Sequence, residues 1–155
     1  PAVDLAPYTR DWRERPPPPA LKRALIDTVA TIARRLHEGG MNHRDFYLCH
    51  FLLDLDPPPA PGTLRVSLID LHRAQVRPRT PRRWRDKDLA ALYFSALDIG
   101  LTSRDRLRFL RTYFPGPLRT TLAREQRLLT HLEREAARLK LRYERKFANR
   151  PALQR

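Results

Sequence analysis

Apolar residues recur along most of the chain at the spacing of an α-helix. Between Ala20 and Glu38 they follow one another every three or four positions, which predicts a helix with one apolar face that ends at Gly39-Gly40. Similar patterns predict a helix over Asp88–Ile99 and another that starts at Thr102, where an aspartate three residues later suggests a capping box. A last helix is predicted from about Thr121 to Phe147.

Two short apolar runs between these helices have the length of strands. They are Phe51–Leu55 and Leu64–Ile69, and the proline-rich stretch 56–62 separates them. Together they predict a hairpin with a long connection. The following segment 73–85 is basic and contains two prolines, so an irregular loop is expected there. The predicted fold class is mainly α with a small β-hairpin.

The composition is strongly basic. Lysine and arginine number 31 against 17 aspartates and glutamates, the net charge is +14, and nearly all of the positive charge is arginine. Because the guanidinium group forms bidentate contacts with phosphate and carboxylate, an acidic partner is expected. Nucleic acid, an anionic membrane surface, a phosphorylated substrate and an acidic protein all remain open, as does a merely solvated surface.

Cysteine content and hydropathy indicate the cellular compartment of the protein. Cys49 is the only cysteine, so no internal disulfide can form, which favours a reducing environment. No apolar run approaches the roughly 18 residues needed to span a bilayer, and the N-terminus lacks a secretory signal pattern. The chain is expected to be soluble or to lie on a membrane surface. It starts at Pro1 without a methionine, which suggests a trimmed chain or a fragment.

The predicted last helix has an apolar face and a basic face. Its basic side chains recur every three or four positions and fall on one arc of the helix. Like charges four residues apart slightly destabilise a helix, so such an arc suggests a binding surface, and a solvated face is the alternative. This basic face consists of Arg124, Arg127, His131, Arg134, Arg138, Arg142 and Arg145.

The candidate chemistry lies on either side of the predicted hairpin. His43-Arg44-Asp45 follows the long helix, and Leu68-Ile69-Asp70-Leu71-His72 ends the hairpin. Phosphoryl transfer needs one carboxylate beside the attacking hydroxyl and another that holds Mg²⁺ against the phosphates. A loop before a hairpin and a residue at its far end can place these two carboxylates side by side. An ordinary polar loop and an ordinary strand-end aspartate are the alternative.

Two segments carry a family resemblance. Asn42–Leu53 (NHRDFYLCHFLL) and Leu68–Gln75 (LIDLHRAQ) resemble the lipopolysaccharide core heptose(I) kinases, and the resemblance extends from about Leu5 to Phe147. It implies the C-terminal lobe of the protein-kinase-like fold. It also implies an enzyme that uses ATP and Mg²⁺ to phosphorylate the first heptose of the lipopolysaccharide inner core. Such an enzyme would be cytoplasmic and peripheral, at the inner face of the Gram-negative cytoplasmic membrane.

The resemblance assigns roles to individual residues. Asp45 would orient the sugar hydroxyl and accept its proton, whereas Asp70 would bind Mg²⁺ and, through it, the nucleotide. His50 is the candidate second metal ligand because it lies where ordinary kinases have a metal-binding asparagine. Mg²⁺ prefers oxygen ligands to imidazole, so a second metal ion is in doubt.

The positive charge that would face the phosphates has two candidates. Tyr47 lies where many kinases place a phosphate-binding lysine, so Arg44 or Arg73 is expected to supply that charge instead. His72 replaces the glycine of the usual Asp-Phe-Gly motif and lacks its backbone freedom. His43 is interpreted as a packing residue rather than a base.

The N-terminal lobe of a kinase is not recognisable in the sequence. The chain shows no Gly-x-Gly-x-x-Gly loop and no lysine in a strand-like apolar run, so it is predicted to need an N-terminal lobe and to be inactive alone. The predicted divisions are a hinge and start of the C-lobe at 1–19, the C-lobe at 20–147 and a tail at 148–155. Within the C-lobe they are a catalytic loop at 41–50, a metal-site hairpin at 51–72 and helices at 86–147.

The expected partners follow from the charge and from the resemblance. They are the lipopolysaccharide core, the anionic membrane surface and an acidic protein, for which an acyl carrier protein is a candidate because it is acidic and tied to lipid synthesis. One rival interpretation is a basic helical module that binds nucleic acid or an acidic protein without catalysis. No zinc pattern, RNA-recognition signature or helix-turn-helix is recognisable, so nucleic acid is not expected. A second rival is a non-catalytic kinase-like scaffold, which the intact Asp45 and Asp70 disfavour.

Overall fold

The computed structural model describes residues 1–148, which form six α-helices, two short 3₁₀ helices and two small sheets. The α-helices are α1 (Leu5–Thr9), α2 (Pro19–Glu38), α3 (Arg82–Ser95), α4 (Ser103–Tyr113), α5 (Leu118–Arg124) and α6 (Gln126–Ala148). The strands are β1 (Ala2–Asp4), β2 (Met41–Asn42), β3 (Phe51–Asp54), β4 (Val66–Leu68) and β5 (Gln75–Val76). The predicted class, mainly α with a small β-hairpin, is confirmed. Apart from Ala148, the predicted tail lies outside the described residues.

The predicted hairpin exists, and a third strand extends it. β3 pairs with β4 in antiparallel register, with Leu53 opposite Val66, and β1 pairs along the other side of β3, with Val3 opposite Leu53. The sequence pattern does not predict β1, because three residues are too few to show an alternation. A second sheet pairs β2 with β5, Met41 opposite Val76, and so closes the segment that carries both candidate carboxylates.

The hydrophobic core forms where the helices meet the hairpin. Phe46, Phe51 and Leu53 are fully buried there. Around them α2 packs along α4, and α3 packs along α6. Each fully buried side chain of this size contributes roughly 1.5–3 kcal/mol through the hydrophobic effect. The loop and the hairpin that carry the candidate chemistry therefore rest on a packed base.

The start of α4 is capped as predicted. The Thr102 hydroxyl accepts the Asp105 N–H at 3.2 Å, and the Asp105 carboxylate accepts the Thr102 N–H at 2.9 Å. These two bonds satisfy N–H groups that the helix itself leaves without partners. Lys22 of α2 binds the same carboxylate at 2.7 Å, so the cap also ties α2 to α4.

α3 starts within the segment that was expected to be an irregular loop. Pro81 precedes its first residue, and proline suits the start of a helix because its φ is already fixed near the helical value. The Trp84 N–H donates to the Pro81 carbonyl at 3.0 Å. The prediction for residues 82–85 is therefore wrong: Pro81 begins a helix there. The helix also ends at Ser95, four residues before the predicted end.

The predicted last helix is two helices. Glu125 adopts φ −101° and ψ +18°, which ends α5 and lets α6 begin at Gln126. Arg124 of the predicted basic face therefore belongs to α5, while the other members of that face belong to α6. No helix in residues 1–148, α6 included, is long and apolar enough to cross a membrane.

Candidate active site

A buried carboxylate holds the loop between β2 and β3, which carries Asp45. Asp88 of α3 accepts the His43 N–H at 2.8 Å and the Arg44 N–H at 3.0 Å. Arg44 adopts φ +76°, in the left-handed region that costs a non-glycine residue about 1–2 kcal/mol. Hydrogen bonds to a buried charge offset this strain. Asp88 therefore fixes the backbone on the N-terminal side of Asp45.

Asp88 is also the centre of a polar network. The His37 Nε2 lies 2.9 Å from its Oδ2, and the His37 Nδ1 lies 2.7 Å from the Tyr113 hydroxyl. An ionised carboxylate only accepts hydrogen bonds, so Nε2 carries the proton, and in the neutral ring Tyr113 donates to Nδ1. Burial raises the pKa of Tyr113, which keeps its hydroxyl protonated. The helices α2, α3 and α4 thus meet through hydrogen bonds beneath the catalytic loop.

The sequence did not identify these three network residues. In the hydrophobic pattern Asp88 marks only the start of a helix, and His37 is one polar residue near the end of another. One signal was present, because Asp88 is followed by Leu-Ala-Ala-Leu and is therefore a carboxylate in a buried stretch. A carboxylate in such a position needs hydrogen-bond donors.

His43 joins the loop between β2 and β3 to the hairpin. It is fully buried, its Nε2 donates to the Ile69 carbonyl at 2.8 Å, and its Nδ1 accepts the Asp45 N–H at 3.2 Å. Both ring nitrogens are occupied by backbone groups, which agrees with a packing role and leaves neither nitrogen for proton transfer. The contact with Ile69 links the loop to the residue just before Asp70.

Asp45 and Asp70 come together through His50. The His50 Nδ1 donates to the Asp45 carbonyl at 2.5 Å, and its Nε2 lies 3.2 Å from the Asp70 carboxylate. The hairpin produces this arrangement, since the Ile69 N–H donates to the His50 carbonyl at 2.9 Å. His50 therefore links the backbone of Asp45 to the side chain of Asp70 at one end of the hairpin.

The two candidate phosphate-binding arginines have different contacts. Arg73 donates to Asp45 Oδ1 at 2.7 Å, so its charge lies at the candidate catalytic carboxylate. The Arg44 guanidinium lies 5.9 Å from the ring centre of Trp84 on α3. Of the two, Arg73 is the one in contact with the Asp45 carboxylate.

Asp70 is accessible to a ligand and is held in its ionised form. It precedes a 3₁₀ turn at Leu71–Arg73 and adopts the left-handed φ of +62°. A hydrogen bond from His72 lowers the pKa of Asp70 below its ordinary value, and the nearby His50 adds to this effect. An ionised carboxylate is the form that a divalent cation requires.

Mg²⁺ fits Asp70 and fits His50 poorly. This ion is commonly held by one or two carboxylates together with water and substrate phosphates, and Asp70 offers such a carboxylate. His50 offers only a ring nitrogen, because its Nδ1 is committed to the Asp45 carbonyl. In the described part of the chain no group of three or more histidine, cysteine or acidic side chains is arranged as a metal site. The phosphates of a nucleotide would therefore have to supply further ligands.

An apolar cavity of about 370 Å³ lies between the helices. Neither Asp45 nor Asp70 lines it. Its wall includes Leu25, Val29, Leu92, Phe109, Tyr113 and Leu132. Tyr113 therefore contributes its ring to the cavity and its hydroxyl to the network beneath the catalytic loop. The cavity was not predicted, because helical periodicity does not show how tightly several helices pack against one another.

The predicted basic face is exposed at every member. Arg138 pairs with Glu135, and Arg124 pairs with Glu125 at 3.3 Å. Burial raises the pKa of Tyr47 in the catalytic loop, and the charge of Arg142 opposes this rise. The C-terminal part of α6 therefore lies close to the candidate active site.

A family model described as "Lipopolysaccharide kinase (Kdo/WaaP) family" matches residues 1–113, which include the loop, the hairpin and the network. The chain belongs to this family. Membership in the Kdo/WaaP family confirms the resemblance inferred from the two motifs, and the interpretation as a nucleic-acid-binding module is not favoured. The basic face lies beyond residue 113, outside the part that the family model matches.

Relatives of known sequence and structure support the same assignment. The chain is 62% identical to the lipopolysaccharide core heptose(I) kinase WaaP of Pseudomonas aeruginosa, over 94% of this chain and 53% of that protein. It is 51% identical to the WaaP of Escherichia coli K12, over 94% of this chain and 55% of that protein. The solved structure "WaaP in complex with acyl carrier protein" is 62% identical and matches with a TM-score of 0.86, over 90% of this chain and 58% of that one.

The chain corresponds to only part of a Kdo/WaaP protein. The chain spans about half the length of the curated relatives it matches. It has part of the kinase-like fold of WaaP, mainly helical and with few strands, as expected for a C-terminal lobe.

Proposed function

We propose that this chain is the catalytic C-terminal lobe of an enzyme that transfers a phosphoryl group from ATP to the first heptose of the lipopolysaccharide inner core. The observation that carries the proposal is the link from the Asp45 backbone carbonyl through His50 to the Asp70 carboxylate, in a member of the Kdo/WaaP family. The proposal requires an N-terminal lobe outside these 155 residues, which would cover the adenine and the phosphates. The chain alone would then bind ATP weakly.

In this mechanism Asp45 orients the acceptor hydroxyl and takes its proton. Asp88 and His43 hold the neighbouring backbone, so the carboxylate keeps its position while the acceptor binds. Arg73 places a positive charge beside the same carboxylate. Asp70 would hold Mg²⁺, which supplies positive charge for the phosphates when it is bound.

Substitution of Asp45 in the full-length enzyme tests the proposal. Asp45→Ala should lower phosphate transfer from ATP to a heptose acceptor by about a hundredfold or more, because a positioned proton acceptor is lost. Asp98→Ala is a matched control, since Asp98 is an exposed carboxylate that pairs with Lys140. Undiminished transfer by Asp45→Ala would refute the assignment, and an equal loss in both variants would indicate structural damage instead.

Asp70→Asn tests the metal role separately. The amide keeps the shape of the side chain and removes its charge, so activity should fall and should recover in part at raised Mg²⁺. A loss that does not respond to Mg²⁺ would give Asp70 a different role.

We also infer that the basic face binds an acyl carrier protein. A structure 62% identical to this chain contains such a partner, and an exposed row of arginines suits an acidic protein. The apolar cavity supports the inference, because a volume of about 370 Å³ can take part of an acyl chain. The acceptor is a membrane glycolipid, so the enzyme would act as a peripheral protein at the inner face of the cytoplasmic membrane.

Charge reversal on α6 tests the inferred partner. Arg134→Glu, Arg138→Glu and Arg142→Glu together should abolish co-purification of the full-length enzyme with acyl carrier protein, and the fold should remain because no apolar residue changes. The matched control reverses three exposed arginines elsewhere, Arg104, Arg111 and Arg119. If the triple variant loses binding to anionic vesicles and keeps the carrier protein, the face is a membrane surface. If both associations persist, the face is merely solvated.

A further inference from the structure

Four cationic side chains surround one tryptophan beside the catalytic loop. Arg83 and Lys87 lie 4.6 Å and 4.7 Å from the ring centre of Trp84. Arg77 and Arg44 lie 5.8 Å and 5.9 Å from the same ring. These five residues are called the Trp84 cluster. Such contacts are favourable for each cation separately, but the four like charges repel one another.

The four cations of the Trp84 cluster form no direct ion pair within the described part of the chain. None of its four cations forms an ion pair with a carboxylate in residues 1–148. The neighbouring Arg85 and Asp86 pair with each other at 2.8 Å. The first turn of α3 has no acidic residue. Lys87 lowers the pKa of Glu135 through its charge, and Asp88 accepts the backbone N–H of Arg44, but neither carboxylate forms an ion pair with the cluster. Four positive charges with so little counter-charge are typical of a site that receives an anion.

Arg77 is held in place at both its backbone and its side chain. Its N–H donates to the Gly40 carbonyl at 2.9 Å, and its guanidinium donates to Asn42 Oδ1 at 2.9 Å and to Gln75 Oε1 at 2.8 Å. Gly40 has φ +85°, and a Cβ there would collide with the Arg77 carbonyl oxygen, so the close approach requires glycine. All three acceptors are neutral. The guanidinium is therefore oriented while its charge stays uncompensated.

Asn42 orients the Arg77 guanidinium while one of its own polar atoms stays buried without a hydrogen bond. Its side chain is fully buried, and its Nδ2 has no hydrogen-bond partner in the described structure. Rotating the amide would satisfy nothing, because Nδ2 would then face the N–H groups of Arg77. A buried amide nitrogen without a partner is rare and calls for an explanation. The explanation offered by the geometry is that Asn42 Oδ1 is required to position Arg77.

The Trp84 cluster lies next to the proposed catalytic group. Arg44 directly precedes Asp45, and its N–H is bound to Asp88, one turn along α3 from Trp84. A molecule that presents a hydroxyl to Asp45 and carries an anionic group nearby would reach both. We propose that the Trp84 cluster binds a carboxylate or phosphate group of the acceptor glycolipid and so positions the hydroxyl for transfer. This rests on the proposed function and names the feature of the acceptor that is recognised.

The test compares neutral substitutions in the full-length enzyme. Arg77→Gln, Arg83→Gln and Lys87→Gln, made singly, should each raise KM for the acceptor glycolipid, by about tenfold for Arg77. The KM for ATP should stay within about twofold, because none of these side chains belongs to the proposed nucleotide site. Arg111→Gln on α4 is the matched control, since it removes one exposed positive charge elsewhere. Arg83 and Lys87 are exposed, so their variants are informative even if Arg77→Gln folds poorly.

Two further acceptors identify the anion. With free heptose, which carries no anionic group, the variants and the wild type should have the same KM. Phosphatase-treated glycolipid retains its carboxylates and loses its phosphates. If the variants and the wild type then have the same KM, the site binds phosphate. If the KM of the variants stays higher, the site binds carboxylate. A glycolipid KM that is unchanged in all three variants would overturn the proposal. So would an equal rise with free heptose, or a rise in KM for ATP instead.

Calorimetry without nucleotide separates this proposal from the proposed function. Binding of the glycolipid to the full-length protein should weaken in the Lys87→Gln variant and remain unchanged in Arg111→Gln. If wild-type protein transfers no phosphate but shows this difference, the proposed function fails and the anion site stands. If transfer is present and the difference is missing, the anion site fails alone.

Discussion

The two candidate carboxylates lie at one end of the same hairpin, yet they are held in different ways. The Asp45 loop is fixed from beneath by buried Asp88 and His43. Asp70 lies in an exposed turn, and its contacts are the side chains of His50 and His72. Catalytic groups gain most from being positioned before the substrate arrives. The difference indicates that the fold presets the proposed proton acceptor and leaves the proposed metal ligand free to adjust.

The largest effect is expected when Asp88, which holds the Asp45 loop, is removed. Asp88→Ala leaves the His43 and Arg44 N–H groups without an acceptor and His37 without its partner, so it should lower the free energy of unfolding by about 3–5 kcal/mol. Urea denaturation of the full-length protein measures this. Asp86→Ala, which breaks only the pair with Arg85, should cost less than about 1 kcal/mol. Similar losses in the two variants would show that Asp88 is no anchor.

A milder test removes one hydroxyl at the edge of the buried network. Tyr113→Phe keeps the ring that lines the cavity and leaves His37 Nδ1 without its hydrogen bond, so stability should fall by about 1–2 kcal/mol. The kcat for phosphate transfer should fall while KM for ATP is unchanged, because only the support of the loop is altered. Tyr93→Phe is the control, since its hydroxyl bonds to Arg106 and Glu133 at the surface. Unchanged kcat in Tyr113→Phe would confine its role to stability.

The smallest effect is expected when a contact of the exposed Asp70 is removed. Loss of the His72 hydrogen bond in His72→Ala should raise the pKa of Asp70 towards its ordinary value. The stabilisation from this contact exists above the ordinary carboxyl pKa and disappears as the pH falls through the lowered pKa of Asp70. An NMR titration of the Asp70 carboxyl measures the change, with His131→Ala as the control. An unchanged pKa would mean that another group keeps Asp70 ionised.

The sequence predicted features that depend on one segment or on neighbouring segments. The apolar face of α2, the Thr102 cap and the hairpin all follow from local spacing. The strands β1, β2 and β5 were not predicted, since each has only two or three residues. The prolines of segment 73–85 predicted an irregular loop. Proline interrupts a helix in its interior but suits its first turn, and the sequence alone does not show which of these positions Pro81 occupies.

The sequence did not predict the polar network around Asp88 or the Trp84 cluster, because their residues are far apart along the chain. Asp88 has partners 45 and 51 residues away in the sequence, and Tyr113 lies 76 residues from His37. Periodicity describes one helix at a time, so it assigns Asp88 only to the start of a helix and shows no contact between helices. The cations around Trp84 come from three separate segments, and only the fold shows that they converge.

The left-handed backbone of Arg44 has a consequence for protein engineering. Its backbone lies in a region that glycine occupies freely, so Arg44→Gly would relieve about 1–2 kcal/mol of strain against roughly 0.5–1 kcal/mol of added chain entropy. The same replacement would delete a cation beside the proposed active site. Selection for thermal tolerance alone would therefore favour glycine at this position, at the expense of a proposed anion-binding charge. In this chain Arg44 keeps its charge at the cost of a strained backbone.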